Sequence, residues 1–100
     1  MPIRGGVIRE SKIERATVAW AKDNGIQVVK IQGARGWPDR LFLYRGRAMF
    51  IEFKASDGGR LSVMQERVME QLEATGFVVH VHSDTAAAIT SLKLFKRGSR

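Results

Sequence analysis

The spacing of apolar and polar positions along the chain predicts seven alternating elements. Apolar residues recur every three or four positions in the expected helices, and in alternating or short continuous runs in the expected strands. The predicted elements are a helix over residues 8–23, a strand over 26–31, a hairpin of strands over 40–44 and 47–51, a helix over 62–75, a strand over 77–82 and a helix from a cap at 83–85 to about 95. The expected inward positions are Ile13, Ala16, Ala19 and Trp20 in the first helix and Met64, Val68 and Leu72 in the second. This αβββαβα order predicts an α/β fold.

The hairpin has a register that can be predicted from the length of its loop. With a two-residue loop at 45–46, counting down the paired strands places Asp39 directly opposite Glu52, and Lys54 shares the face of Glu52. A four-residue loop keeps this register, whereas a three-residue loop sends Glu52 to the other face. The shorter loop is the simplest interpretation, so two acids and a lysine are expected together at one end of the hairpin.

Carboxylates opposite each other on paired strands repel, because their β-carbons are only about 5 Å apart. A hard divalent cation between them would balance the charge, and Mg²⁺ or Mn²⁺ is most plausible, with the backbone carbonyl of Phe53 as a further ligand. Lys54 would then orient or deprotonate a water molecule or hold a phosphate. The alternative is an edge hairpin whose charged residues are solvated or form an ion pair. Apolar residues on both faces of the hairpin favour the first interpretation, since buried charges need partners.

Three short segments resemble the signature of the PD-(D/E)xK nuclease superfamily. They are Gly36-Trp37-Pro38-Asp39, Ile51-Glu52-Phe53-Lys54 and Leu61-Ser62-Val63-Met64-Gln65. More narrowly, the chain resembles the VRR-NUC domain in its small standalone form found in phages, from about Glu10 to Leu92. The resemblance implies a single restriction-endonuclease-like domain with a central mixed sheet flanked by helices. The chain departs from the family by having no Val-Arg-Arg tripeptide.

The resemblance also implies roles for five residues. Asp39 and Glu52 would be metal ligands, Lys54 the catalytic lysine, Glu14 an additional acid at the metal and Gln65 the glutamine that begins the helix after the hairpin.

Some of these residues have structural alternatives. Glu14 and Gln65 each follow a serine by three positions, which is the spacing of a helix-capping box. Glu10 competes with Glu14 for the role of the additional acid if the helix begins early. Trp37 is either an anchor for its loop or a surface that stacks on a base or sugar. The two histidines, His80 and His82, alternate on the last strand and are interpreted as structural or surface residues.

The charge of the chain indicates a polyanionic partner. Seventeen Lys and Arg against ten Asp and Glu give a formal net charge of +7, which attracts DNA. The predicted DNA-binding residues are Lys12, Arg15, Arg35, Arg40 and Arg60. A basic tail from about residue 96 is expected to be frayed. No amphipathic basic helix with a large apolar face favours a membrane partner.

Length and cysteine content limit the remaining possibilities. One hundred residues suffice for one compact domain, taken as residues 1–100. The absence of cysteine excludes disulfides and thiolate metal sites and fits a reducing cytoplasm, which would be the host cytoplasm for a phage protein. The expected location is therefore cytoplasmic.

The function that follows is a metal-dependent, structure-selective DNA endonuclease, a hydrolase of phosphodiester bonds. Standalone members of the resembled family look like resolvases of four-way (Holliday) junctions, which implies a homodimer with two active sites. The alternatives are a nuclease of flaps, forks or linear DNA, and a catalytically silent nucleic-acid-binding module.

Overall fold

Seven elements follow one another in the predicted order, in a computed structural model that describes residues 6–98. They are α1 (Glu10–Asp23), β1 (Gln27–Lys30), β2 (Arg40–Tyr44), β3 (Arg47–Phe53), α2 (Val63–Ala74), β4 (Val78–His82) and α3 (Thr85–Lys96). The predicted α/β class and αβββαβα order are confirmed. At the majority of element ends, the observed boundary differs from the predicted one by one or two residues. The terminal hydrogen bonds of a helix or strand decide such assignments.

The strands form one mixed sheet in the order β1-β2-β3-β4. Strand β2 is antiparallel to both β1 and β3, and β4 runs parallel to β3. Arg45 and Gly46 form the predicted two-residue turn between β2 and β3, with φ angles of 48° and 77°. Two left-handed residues in this position give a turn whose twist matches that of the strands, and glycine adopts it without strain. Tyr44 therefore pairs with Arg47, as the register argument predicted.

The two faces of the sheet are covered unequally. On one face, α1 and α3 enclose a large cluster with the inward side chains of the hairpin, which are Phe42, Met49, Ile51 and Phe53. On the other face α2 covers a smaller cluster formed by Phe50, Val68, Leu72 and Val79. The expectation that both faces are buried holds for β3, but Leu43 on β2 and Val29 on β1 remain 36% and 40% exposed. Helix α2 lies over β4 and leaves this outer part of the sheet uncovered.

Some of the expected inward positions on the helices were wrong. Ala16 and Ala19 are exposed, whereas Thr17 and Val18 are buried. Helix α1 packs against both α3 and the sheet, so its buried face is rotated from the one that the largest apolar residues indicated. Met64 is 44% exposed, because it lies in the first turn of α2 beside residue 36 rather than over the sheet.

The C-terminal part of the chain is held to the hairpin turn. Helix α3 continues through Lys96, and the Arg47 guanidinium donates to the carbonyls of Phe95 and Lys96. The Phe95 carbonyl also accepts from the backbone N–H of Gly98 at 3.0 Å, so the guanidinium adds to the hydrogen bonds that close the end of α3. The end of the predicted basic tail, residues 99–100, lies outside the described part of the chain.

Candidate active site

The end of the β2–β3 hairpin opposite its turn brings Asp39 and Glu52 together. The last paired residues of the ladder are Arg40 and Ile51, so Asp39 and Glu52 are the next pair along. Asp39 Oδ2 accepts a hydrogen bond of 2.7 Å from the backbone N–H of Phe53, which fixes the carboxylate against the end of β3. Glu52 is only 5% exposed although it carries an ionisable group. The predicted juxtaposition of the two acids is therefore present.

Lys54 and Gln65 complete a hydrogen-bonded group around Glu52. Lys54 Nζ lies 3.4 Å from Glu52 Oε2, and Gln65 Nε2 donates to the same oxygen at 3.0 Å. Lys54 Nζ also donates to Gln65 Oε1 at 3.3 Å. The amide of Gln65 thus contacts both the acid and the lysine and fixes their relative positions.

Gln65 also caps the helix that carries it. Its side-chain oxygen accepts from the backbone N–H of Ser62 at 2.8 Å, and the Ser62 hydroxyl accepts from the backbone N–H of Gln65 at 3.0 Å. This reciprocal pair is a capping box, which satisfies donors at the start of α2. One side chain therefore caps α2 and also contacts Glu52 and Lys54.

Both acids are surrounded in a way that favours their neutral forms. Burial and, to a smaller extent, the nearby charge of Asp39 raise the pKa of Glu52 to about 7, although Lys54 opposes the shift. Burial also raises the pKa of Asp39, although its bond from the Phe53 N–H acts in the opposite direction. The negative charges of Glu14 and Glu10 raise the pKa of Asp39 further, so both of these acids of α1 act electrostatically on Asp39. The site therefore has more negative charge than Lys54 alone balances.

This donor set is compatible with a magnesium or manganese ion. The carboxylates of Asp39 and Glu52 and the carbonyl of Phe53 are hard oxygen donors, which these cations prefer. No group of three or more His, Cys, Asp or Glu residues suited to a metal occurs within residues 6–98. Mg²⁺ commonly uses only one or two carboxylates and completes its octahedron with water and substrate phosphate. Two acids are therefore sufficient for such a site.

Glu14 lies in a different environment from the one predicted for a metal ligand. Its Oε2 is 2.6 Å from Arg40 Nε, in an ion pair whose side chains are 19% and 17% exposed. The capping box that was the structural alternative for Glu14 is absent, because α1 begins at Glu10 and its N-cap is Arg9. Glu14 is thus a partner of Arg40 that also affects Asp39 through its charge.

Comparison with known proteins gives one decisive result. No protein-family model and no curated protein matches the chain. Among solved structures, a chain described as a VRR_NUC domain superimposes with a TM-score of 0.74 at 22% sequence identity, covering 86% of this chain and 96% of that one. The chain has the fold of a VRR_NUC domain. At this level of identity the similarity establishes the architecture, and the chemistry must be argued from the side chains.

Two loops of this VRR_NUC-like fold frame the acidic site. In the loop before β2, Pro38 is fully buried and Gly36 has a φ of 79°. A β-carbon on Gly36 would lie 2.4 Å from Met64 Cγ, so the loop passes directly against the start of α2. In the loop after β3, a β-carbon on Gly59 would lie 3.3 Å from the Lys54 side chain. Both glycines allow the close approach that holds the loops around the site.

A third segment contacts the same region, and the sequence analysis did not identify it. The residues before α1 pair with the loop after Lys54, since the Ile8 N–H donates to Ser56 Oγ at 2.7 Å and the Ser56 N–H donates to the Ile8 carbonyl at 2.9 Å. No local pattern in the sequence marks this contact, because its partners are far apart in the chain. The pairing fixes the start of α1 beside the site.

Of the predicted DNA-binding residues, four have exposed side chains: Lys12, Arg15, Arg35 and Arg60. Arg35 and Arg60 lie in the two loops that frame the site, and Lys12 and Arg15 lie on α1. Arg40 differs from them because its guanidinium is paired with Glu14. In the described part of the chain, no helix is long and apolar enough to cross a membrane.

The histidines have the structural contacts expected of them. Their rings stack at a centroid distance of 5.4 Å, and His82 Nε2 lies 2.8 Å from Ser91 Oγ of α3. Burial lowers the pKa of both His80 and His82, which keeps them neutral at physiological pH. They are on the sheet face covered by α3, away from the acids.

Proposed function

We propose that this chain is a metal-dependent DNA endonuclease that hydrolyses phosphodiester bonds at the Asp39–Glu52 site. The observation that carries the proposal is the buried Glu52, which lies beside the half-buried Asp39 and is linked through Gln65 to Lys54. A fold shared with a VRR_NUC domain supports a nuclease, since the name of that domain denotes one. A purely structural role leaves the accumulation of buried negative charge unexplained, because such charge is costly without a partner.

The contacts of the site residues support a separate role for each of them in metal binding, catalysis or positioning. A bound Mg²⁺ or Mn²⁺ ion would supply Lewis acidity toward the phosphate and lower the pKa of water. Asp39 and Glu52 hold the cation site, and the Phe53 N–H keeps the Asp39 carboxylate oriented. Lys54 directs its ammonium group toward the same place, where it can orient a water molecule or stabilise charge on the scissile phosphate. Gln65 acts as a positioning residue for Lys54.

Glu14 supports this site without being required as a direct ligand. Its charge adds to the field around Asp39, and its ion pair fixes Arg40 at the start of β2. Exchanging one partner of this pair would disturb the strand that positions Asp39. We therefore propose a supporting role for Glu14 and Arg40.

DNA as the substrate is supported by the distribution of positive charge. The net charge of +7 attracts a polyanion, and exposed Arg35 and Arg60 stand on the loops on either side of the acids. Phosphates that contact these loops would lie close to the cation site. Lys12 and Arg15 extend the basic surface along α1.

We further propose that the substrate is branched DNA and that a homodimer cuts a four-way junction at two symmetric positions. Two cuts related by the symmetry of the junction require two active sites, which a two-fold dimer provides. The proposal makes paired nicks the diagnostic product. Flaps, forks and linear duplexes are the competing substrates.

The test is cleavage of end-labelled four-way junction, flap and linear duplex DNA in Mg²⁺, Mn²⁺ or EDTA. Wild-type protein should give metal-dependent paired nicks on the junction, and Asp39→Asn and Lys54→Ala should each reduce the rate by about a hundredfold or more. Asp23→Asn and Lys22→Ala are matched controls, because both residues are exposed at the far end of α1 and should leave the rate unchanged.

Three outcomes separate the alternatives. Equal cutting of every substrate would retain the nuclease and reject the junction. Binding without cutting in either metal would reject the nuclease in favour of a nucleic-acid-binding module. Activity that survives Asp39→Asn would place the chemistry elsewhere in the molecule.

A further inference from the structure

An apolar surface lies exposed directly beside the acidic site. Trp37 is 41% exposed and Met64 is 44% exposed, and Gly36 brings their two segments into contact. Only the buried Pro38 separates Trp37 from Asp39, and Gln65 follows Met64 in the chain. We call Trp37 and Met64 the apolar ridge. It flanks the acids on the side where the loop before β2 meets the start of α2.

The ridge is held in place rather than loosely displayed. The Trp37 N–H donates to the Ala34 carbonyl at 3.2 Å, and its ring meets the Phe50 ring edge-on at a centroid distance of 6.0 Å. Phe50 itself belongs to the buried cluster under α2. A β-carbon on Gly36 would also lie 3.0 Å from the Met64 carbonyl oxygen, which leaves the loop little room to move. An aromatic surface fixed in this way loses little freedom when a flat partner packs on it.

The chemistry of the neighbouring groups identifies the kind of partner. Arg35 and Arg60 are exposed on the adjoining loops and suit phosphates, whereas the ridge suits a flat apolar ring. A continuous duplex presents phosphates, sugars and base edges, but its base faces are stacked against each other. A branch point interrupts the stack and exposes a base face. Aromatic and methionine side chains stack on such faces or insert between them.

We propose that Trp37, assisted by Met64, packs against a base face exposed at a DNA branch point and thereby selects branched over continuous DNA. The inference rests on the proposed nuclease function and names the feature of the substrate that the site reads. Because Pro38 alone lies between Trp37 and Asp39, the stacked base belongs to a nucleotide at or near the cleaved bond. The ridge would therefore combine selection of the substrate with placement of the phosphate.

The first test measures binding in EDTA, where no cleavage occurs, to a four-way junction and to a continuous duplex of the same arm sequence. Trp37→Ala should weaken binding to the junction about tenfold and binding to the duplex less than about twofold, since stacking contributes only where a base face is available. Trp37→Phe should recover most of the junction affinity because it keeps an aromatic face. Met64→Ala should have a smaller effect in the same direction.

Phe77→Ala is the matched control for Trp37→Ala. Phe77 is 42% exposed and also meets Phe50 edge-on, at 5.8 Å, but it precedes β4 near the other end of β3. Trp37→Ala and Phe77→Ala therefore each remove an exposed aromatic ring that packs against Phe50. Only Trp37→Ala should change the ratio of junction to duplex affinity.

A spectroscopic measurement tests contact directly. The chain has two tryptophans, so Trp20→Phe leaves Trp37 as the only indole fluorophore. Junction DNA should quench this fluorescence, and 2-aminopurine placed at the branch point should change its emission on binding. Continuous duplex should produce neither change at equal occupancy.

The outcomes distinguish failure of this inference from failure of the proposed function. Equal loss of junction and duplex binding in Trp37→Ala would overturn base-face recognition, and so would conversion of a dimer to a monomer in sedimentation, which would make the ridge an interface between copies. Junction cleavage that persists with unchanged selectivity in Trp37→Ala would keep the nuclease and overturn the ridge. Selective loss of junction binding in a protein that cuts nothing would keep the ridge and overturn the nuclease.

Discussion

Charged side chains cluster at both ends of the β2–β3 hairpin, which are the site end with Asp39 and Glu52 and the turn end with Arg45 and Arg47. The two ends differ in the groups that balance these charges. At the site end, Glu52 is buried with Asp39 nearby, and the positive charge of Lys54 lowers the pKa of both acids without cancelling the increase. At the turn end, the Arg47 guanidinium donates to two backbone carbonyls of α3 and lies 5.2 Å from the Phe95 ring centroid. The first group is short of positive charge, whereas the second has neutral acceptors and aromatic faces in place.

The turn end is further arranged around an aromatic ring. Arg45, Arg47 and Lys96 approach the Tyr44 ring, with centroid distances of 5.2, 5.8 and 5.3 Å. Cations are also favoured near the C-terminus of α3, where the helix dipole is negative. The comparison teaches that charge density alone does not identify a functional site. A site is indicated where the charges remain incompletely balanced and the pKa values shift.

Removal of one cation at each end should have the largest effect, on stability at the turn end and on the cleavage rate at the site end. Arg47→Ala should lower the free energy of unfolding by about 2 kcal/mol, because two carbonyls of α3 lose the bonds from the guanidinium and the Tyr44 and Phe95 rings lose a nearby cation. DNA cleavage by the folded fraction should remain within about threefold of wild type, since no site residue is touched. Lys54→Ala should show the reverse, with cleavage reduced about a hundredfold or more and much less change in stability.

Urea unfolding and single-turnover cleavage on the same preparations check this dissociation. Arg47→Lys is the informative companion, because it keeps the charge but loses the planar fork that contacts two carbonyls, and it should recover only part of the stability. If Arg47→Ala abolished cleavage in fully folded protein, the division between a structural and a functional end would be wrong.

The pH dependence of stability should also differ between the two ends of the hairpin, because the site end holds an acid with a raised pKa. The pKa of Glu52 is raised from 4.5 to about 7 in the folded protein, so the folded state holds this proton more tightly than the unfolded state. Stability of the metal-free protein should therefore fall as the pH rises from about 4.5 to about 7, with an upper limit of about 3 kcal/mol for such a shift. Glu52→Gln removes this contribution.

The measurement is urea unfolding of wild type and Glu52→Gln in EDTA from pH 5 to pH 8. The variant should gain stability relative to wild type as the pH rises, and the two should differ least at pH 5. His80 and His82 act in the opposite direction, because their lowered pKa values reduce stability as the pH falls, but this contribution is common to both proteins and cancels. Mn²⁺ at pH 8 should stabilise wild type more than the variant. A difference that does not vary with pH would contradict the raised pKa.

The hairpin register and the capping box could be predicted because each depends on local spacing. A two-residue turn fixes which face every strand residue occupies, and Ser62 three positions before Gln65 marks a helix start. The ion pair between Glu14 and Arg40 could not be predicted, since it depends on how α1 crosses the sheet. The exposure of Met64 likewise follows from the loop that carries Gly36, which has no periodicity to interpret.

The last predicted effects concern a glycine at each end of the hairpin. Gly36 and Gly46 have nearly the same φ, 79° and 77°, but a β-carbon on Gly46 would meet no atom within 4 Å. Gly46→Ala should therefore lower the free energy of unfolding by about 1 kcal/mol, the cost of a left-handed conformation for an ordinary residue. Gly36→Ala should add the contact with Met64 and reach about 2 kcal/mol.

Asparagine substitutions and a double variant sharpen this comparison. Asparagine tolerates the left-handed conformation, so Gly46→Asn should be nearly neutral while Gly36→Asn remains destabilising. Met64→Ala combined with Gly36→Ala should recover only part of the loss, because the Met64 carbonyl oxygen would still lie 3.0 Å from the new β-carbon. Thermal unfolding measures each variant, and the cleavage rate reports whether displacement of the loop reaches Asp39. Equal destabilisation of Gly36→Ala and Gly46→Ala would mean that the loop moves freely away from α2, and the fixed placement of Trp37 beside the acids would lose its structural basis.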